Sequence, residues 1–165
     1  MRPFKLLLIL LSLLFLFSCT IYDNDVEGEA DTVYSSTINV RSNDFIAEDD
    51  FISVADYGWD NLDEEMVDYG MVLGYLRFEG TTAWQALPFS VPFEHDLVNL
   101  RYSFDINNFS LIIEGEVGGN NQANEELFDR DVLRVIAIPP SVIVKGKGID
   151  YRNYNQISEL YGIND

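Results

Sequence analysis

From residue 32 onward the chain repeatedly alternates apolar and polar positions. Tyr34, Ile38 and Val40 alternate with Ser35, Thr37, Asn39 and Arg41, which predicts a half-buried strand. Residues 42–50 are polar and turn-like around the apolar pair Phe45 and Ile46, and a second strand is expected over 51–57, ended by Gly58, Trp59 and Asp60. Residues 61–70 predict a short helical turn: Asn61 has capping chemistry, with Glu64 at capping-box spacing. Asp63, Glu64 and Glu65 suit the positive end of the helix dipole, and Gly70 is expected to supply a left-handed exit. Residues 71–78 (MVLGYLRF) are apolar on both faces until Arg77 and predict a central strand covered on both sides. Residues 83–89 (AWQALPF) are expected to return antiparallel, with Pro88 and Pro92 confining the end to an edge or bulge.

The sharpest local expectation is a hairpin. Val98, Leu100, Tyr102, Phe104 and Ile106 alternate with Asn99, Arg101, Ser103 and Asp105, and Asn107-Asn108 suits a two-residue turn. That turn pairs Ile106 with Phe109, Phe104 with Leu111, Tyr102 with Ile113, Leu100 with Gly115 and Val98 with Val117. Every apolar residue of both strands except Ile112 then shares one face, and Arg101 lies opposite Glu114 on the other. A polar loop over 118–131, with a helical turn at 124–128, precedes a buried strand at 132–138 that Pro139 and Pro140 stop. Residues 141–144 are a candidate short strand and 145–148 a flexible connector. Tyr154, Ile157, Leu160 and Tyr161 have helical spacing, with Gly162 as a stop. The sum is an all-β, mainly antiparallel domain over residues 32–165. It would be a sandwich or open barrel of about seven or eight strands, with a short helical turn near 61–69 and a short C-terminal helix laid on the sheet or across an open end.

What precedes the domain has a different pattern. Arg2 and Lys5 flank an apolar run over 6–17, broken only by Ser12, that is too short to span a bilayer and has the layout of a secretory signal. It ends in Leu16-Phe17-Ser18-Cys19, which resembles the lipobox of bacterial lipoproteins. The resemblance implies cleavage after residue 18 and lipidation of Cys19, the chain's one cysteine. Without a second cysteine no intrachain disulfide forms, so the fold rests on its core. Residues 19–31 carry Asp23, Asp25, Glu27, Glu29 and Asp31 with little apolar content, and read as a disordered acidic tether. Their acidity resembles the signal that sends Bacteroidota lipoproteins to the outer face of the outer membrane.

Charge narrows the partners. The chain has 28 acidic and 10 basic residues, a formal −18. Loss of Arg2 and Lys5 with a signal at residues 1–18 leaves 28 acidic against 8 basic, a formal −20 over 147 residues. Such a chain is repelled by nucleic-acid phosphates and anionic lipid, so a membrane partner has to be reached through the lipid on Cys19.

Candidate chemistry is thin. His95, between Glu94 and Asp96, reads as a solvated turn, and no nucleophile elbow or phosphate loop is present. Lys145-Gly-Lys147-Gly lacks the Ser or Thr that a phosphate loop needs. Calcium clusters were weighed at Asp44/Glu48/Asp49/Asp50 and at Asp105/Asn107/Asn108; neither has EF-hand spacing. No catalytic residue, cofactor or metal site is assigned. Trp84 reads as core. Trp59, in a polar loop, is the candidate ligand-binding residue for a glycan. Residues 64–75, 84–89 (WQALPF) and 133–139 (LRVIAIP) together resemble a group of small secreted proteins and lipoproteins of Bacteroidota, some carrying collagen-like repeats before the same domain. The resemblance implies an envelope location and one β domain, and brings no site residues. The expected function is an outer-membrane, surface-exposed or periplasmic lipoprotein acting as a non-enzymatic module with a protein or glycan partner. The alternatives are a carbohydrate-binding module and a carboxylate-based glycoside hydrolase.

Overall fold

The computed structural model describes residues 32–93, 96–115, 128–143 and 148–163. The expected signal, Cys19, the tether, His95, Val117, the 124–127 turn and the Lys145/Lys147 connector lie outside them.

Among the described residues, nine antiparallel strands form two sheets. The first sheet has the order β1-β9-β4-β5: β1 (Tyr34–Val40), β9 (Asp131–Ile138), β4 (Met71–Arg77) and β5 (Gln85–Ala86). The second has the order β2-β3-β8-β7-β6: β2 (Ile46–Ala47), β3 (Ile52–Gly58), β8 (Asn108–Glu114), β7 (Asp96–Asp105) and β6 (Phe89–Phe93). The described residues also include two short α-helices, α1 (Glu64–Tyr69) and α2 (Tyr154–Tyr161), and a 3-10 turn at Ser42–Asp44. The fold is a β-sandwich.

Two apolar clusters explain the two kinds of strand. Between the sheets pack Val72, Leu76, Leu133, Val135 and Ala137 from the first, with Val98, Leu100, Phe109, Leu111 and Ile113 from the second. On the other face of the first sheet Tyr75, Ile136 and Ile138 pack under Tyr154 and Ile157 of α2. Strands β4 and β9 are thus covered twice, which is why both read as continuous apolar runs. The C-terminal helix lies on a sheet face. Its start is capped by Asn153, whose side chain accepts from the Gln156 N–H at 3.3 Å, and its end by Gly162 at φ 65.

Four local expectations are corrected. The hairpin keeps its faces but slips by two residues: Asp105 pairs with Asn108, Phe104 with Phe109 and Leu100 with Ile113, so the turn is Ile106-Asn107. The turn is chosen by a neighbouring loop. The Asn107 N–H donates to the Leu62 carbonyl at 2.7 Å, and the Asn107 carbonyl accepts from the Trp59 N–H at 2.9 Å. Secondly, the cap of α1 is Asp63, which accepts from the Met66 N–H at 2.8 Å, in place of Asn61. Thirdly, Gly70 is extended, at φ −78 and ψ −173. It is needed for space: a Cβ there would lie 2.5 Å from Met66 Sδ and 2.7 Å from the Met66 carbonyl. Fourthly, Ser141 and Val142 form a turn, with the Val142 N–H donating to the Pro139 carbonyl at 3.0 Å. The return strand after β4 is also shorter than expected. β5 pairs for only two residues before the chain crosses at Leu87-Pro88 into β6 of the other sheet.

Candidate functional site

Two arginines stand in otherwise apolar strands, and both point to one place. Arg77 follows Tyr75 by two residues on β4, and Arg134 of β9 pairs directly with Tyr75. These positions share the helix-covered face. A guanidinium taken out of water needs a partner, and both the buried Arg134 and the half-buried Arg77 lie against Trp84. Arg77 Cζ is 4.5 Å from the indole centroid and Arg134 Cζ is 5.8 Å. The Tyr154 ring also packs on Trp84, with centroids 4.8 Å apart, and Tyr75 meets Tyr154 edge-on at 5.3 Å. The Tyr75 hydroxyl donates to the Tyr151 carbonyl at 2.6 Å, fixing the segment that leads into α2. Burial pushes the Tyr75 phenol well above its ordinary value, with Tyr102 and Asp150 adding to the rise.

Trp84 is half-buried and belongs to the second apolar cluster, as a core reading requires. It also borders an open recess of about 320 Å³ with Thr82, Asp150, Arg152, Asn153 and Asn155. Some of those polar groups are already used. Asp150 accepts from the Arg152 N–H at 3.0 Å, and Asn153 caps the helix. The recess can offer hydrogen bonds beside a ring whose neighbours are two guanidinium groups and a phenol.

Trp59 sits elsewhere. It is half-buried and packs against the inter-sheet cluster, in the loop that grips the Ile106-Asn107 turn. The structure does not bring Trp59 and Trp84 into one recess: the two belong to different clusters.

Two other recesses mix polar and apolar walls. One, of about 520 Å³, lies at the end of β1, lined by Asn39, Arg41, Ser42, Asn43, Asp129 and Arg130, with Phe128 as its apolar wall. The other, of about 340 Å³, lies over β6 and β7 beside the Arg101–Glu114 ion pair. Each of the three holds a single carboxylate: Asp150, Asp129 and Glu114.

Three of the carboxylates in the candidate calcium clusters, Asp44, Asp49 and Asp105, are engaged locally. Asp49 accepts from the Phe51 and Ile52 N–H groups at 2.7 and 2.8 Å, and Asp44 from the Arg41 N–H at 3.0 Å. Asp105 accepts from the Ile106 N–H at 2.7 Å. Among the described residues no three His, Cys, Asp or Glu side chains converge as a metal site would require. No described helix is long and apolar enough to cross a membrane.

The Trp84 surroundings were missed in the sequence because each residue had a sufficient reason of its own. The usable signal was the presence of Arg77 and Arg134 inside two apolar strands, since such cations need an aromatic or anionic partner. No family model matches the chain, and neither the curated proteins nor the solved structures give a match.

Proposed function

We propose that the chain is an outer-membrane lipoprotein, held by a lipid on Cys19, whose β-sandwich is a non-enzymatic binding or assembly module. The observation that carries this reading is the apolar run over 6–17 ending in Leu16-Phe17-Ser18-Cys19, ahead of a domain with its own two-sided core. Each of the three recesses described above has one carboxylate, whereas glycoside hydrolysis uses a pair at a defined separation. Metabolic labelling with a palmitate analogue tests the anchor: wild type takes up label and Cys19→Ala does not, while equal labelling overturns it. Protease treatment of intact cells separates surface from periplasmic display.

A second reading is a surface glycan binder. The recess beside Trp84, with Thr82, Arg152 and Asn155 at its rim, favours it; Trp59, half-buried against the inter-sheet cluster, is the second aromatic to be tested. Glycan-array binding lost in Asn155→Ala or Trp59→Ala, with the melting temperature held, supports this reading; binding unchanged in both removes it.

A further inference from the structure

The first sheet ends in a like-charge pair. The β1–β9 ladder runs to Val40↔Asp131, and continuing its register by one residue sets Arg41 opposite Arg130. Arg41 is still extended, at φ −130 and ψ 150. Like charges directly opposite each other destabilise a sheet, and with 28 acidic residues in the chain a carboxylate between them would be the simple remedy. The two nearest aspartates hold the backbone instead. Asp44 accepts from the Arg41 N–H at 3.0 Å and from the Tyr57 hydroxyl at 3.3 Å. The buried Asp131 accepts from the Glu79 N–H at 2.7 Å and the Asp129 N–H at 3.2 Å. These bonds fix the two segments that carry the arginines without neutralising either guanidinium. Among the described residues Arg41 forms no ion pair, and Arg130 has one long contact, 3.6 Å to Glu79 Oε1, with its side chain 77% exposed.

The geometry points to the recess of about 520 Å³ that Arg41 and Arg130 line as a binding site for a sugar acid, a uronic acid in chemical class, with its carboxylate held between the two guanidinium groups. That volume lies within the range of small-molecule sites. An anion seated there accepts hydrogen bonds from both arginines and relieves their repulsion. The remaining walls say what else the ligand carries. Asn39 precedes Arg41 by two residues on the same face of β1, and Asn43 follows it; both amides can donate and accept. Asp129 only accepts, so it suits a ligand with hydroxyl donors and opposes one that is anionic all round, such as phosphate or sulfate. Phe128, stacked on Phe45 with ring centroids 5.1 Å apart, is the apolar wall for the C–H face of a sugar ring. One carboxylate, several hydroxyls and an apolar ring face together describe a uronic acid. The chain's formal charge of −18 repels long polyanions, which favours a single acidic sugar or a short saccharide over a polyuronate. This site is separate from the recess beside Trp84 and does not depend on whether Cys19 carries a lipid.

Isothermal titration calorimetry of the full-length chain with galacturonate and with glucuronate tests the site, with galactose, glucose and inorganic phosphate as controls. At least one uronate is expected to bind at millimolar concentration or below, and each control at least about tenfold more weakly. Arg41→Gln and Arg130→Gln are each expected to weaken uronate binding by about tenfold or more, whereas Asn155→Ala, in the Trp84 recess, leaves it unchanged. Without ligand, Arg41→Gln is expected to melt no lower than the wild type, because it removes a repulsion. No binding of either uronate, an affinity unchanged in both arginine variants, or phosphate bound as tightly as the uronate overturns the proposal. So does uronate binding lost in Asn155→Ala and kept in Arg41→Gln, which would place the glycan in the Trp84 recess.

Discussion

Arg101 and Glu114 are bonded at 2.7 Å without being cross-strand partners: the ladder sets Arg101 against Ile112 and Glu114 against Asn99. The pair shares a face, as the alternation requires, and reaches along the diagonal because the hairpin is slipped by two residues. Both side chains are more than two-fifths exposed. Exposed ion pairs contribute little, so Glu114→Gln is expected to cost less than about 1 kcal/mol in urea denaturation, with the difference shrinking as salt is raised.

Gly70 is a position of space, not of backbone conformation. Its φ of −78 is open to any residue, yet a Cβ would meet Met66 Sδ and the backbone oxygens of Met66 and Ile138, the last at 3.1 Å. The thioether can swing aside, but the two carbonyls cannot. Gly70→Ala is therefore expected to destabilise by about 1–3 kcal/mol, measured as a lower denaturation midpoint at unchanged m-value.

Two phenols, the buried Tyr75 and the half-buried Tyr102, tie layers together. The Tyr102 hydroxyl donates to the Val72 carbonyl across the sandwich at 2.8 Å, as that of Tyr75 does to Tyr151 on the helix side. Removing either hydroxyl leaves a carbonyl short of a donor, so Tyr102→Phe and Tyr75→Phe should each cost about 1–2 kcal/mol. The variants differ in place. Hydrogen exchange is expected to speed up in residues 148–163 for Tyr75→Phe, and along β4 and β7 for Tyr102→Phe.

The same phenols set an alkaline limit. Burial raises Tyr57, Tyr75 and Tyr102 above the ordinary value, and Asp44 adds to the rise at Tyr57. In the unfolded chain they lose protons near the ordinary phenol value of about 10. The unfolded state therefore releases protons first. This contribution to stability is intact below about pH 10 and falls as the pH climbs above it. Melting temperatures across that range are expected to decline in wild type and to decline less steeply in the double variant Tyr75→Phe, Tyr102→Phe.

Periodicity made the faces legible, and it could not reach what depends on neighbours distant in sequence. The doubly covered strands β4 and β9 were readable because both clusters leave apolar marks on the same residues. The hairpin register was not, because a slip of two preserves every face. What selects it is the grip of Leu62 and Trp59 on Asn107, with Ile106 left half-exposed as the result. Asp63 was recognised as a helix-start carboxylate, but Asn61 two residues earlier carries equal capping chemistry, and the choice between them is tertiary. The Trp84 site was illegible for the same reason: Arg77, Trp84, Arg134 and Tyr154 come from four separate segments.

The strand order also fixes when this protein can fold. Among the described strands β1 is the first to be synthesised, and its one described neighbour in the sheet, β9, is the last. Tyr34 must wait for Ala137, and the outer face of their sheet waits longer still, for Ile157. A growing chain can assemble the β7–β8 hairpin early from local contacts, but it cannot close the first sheet until Ile138 has emerged. In that interval β1, with no charge and no proline, lacks the strand it pairs with, so a delay in translation would be felt there first.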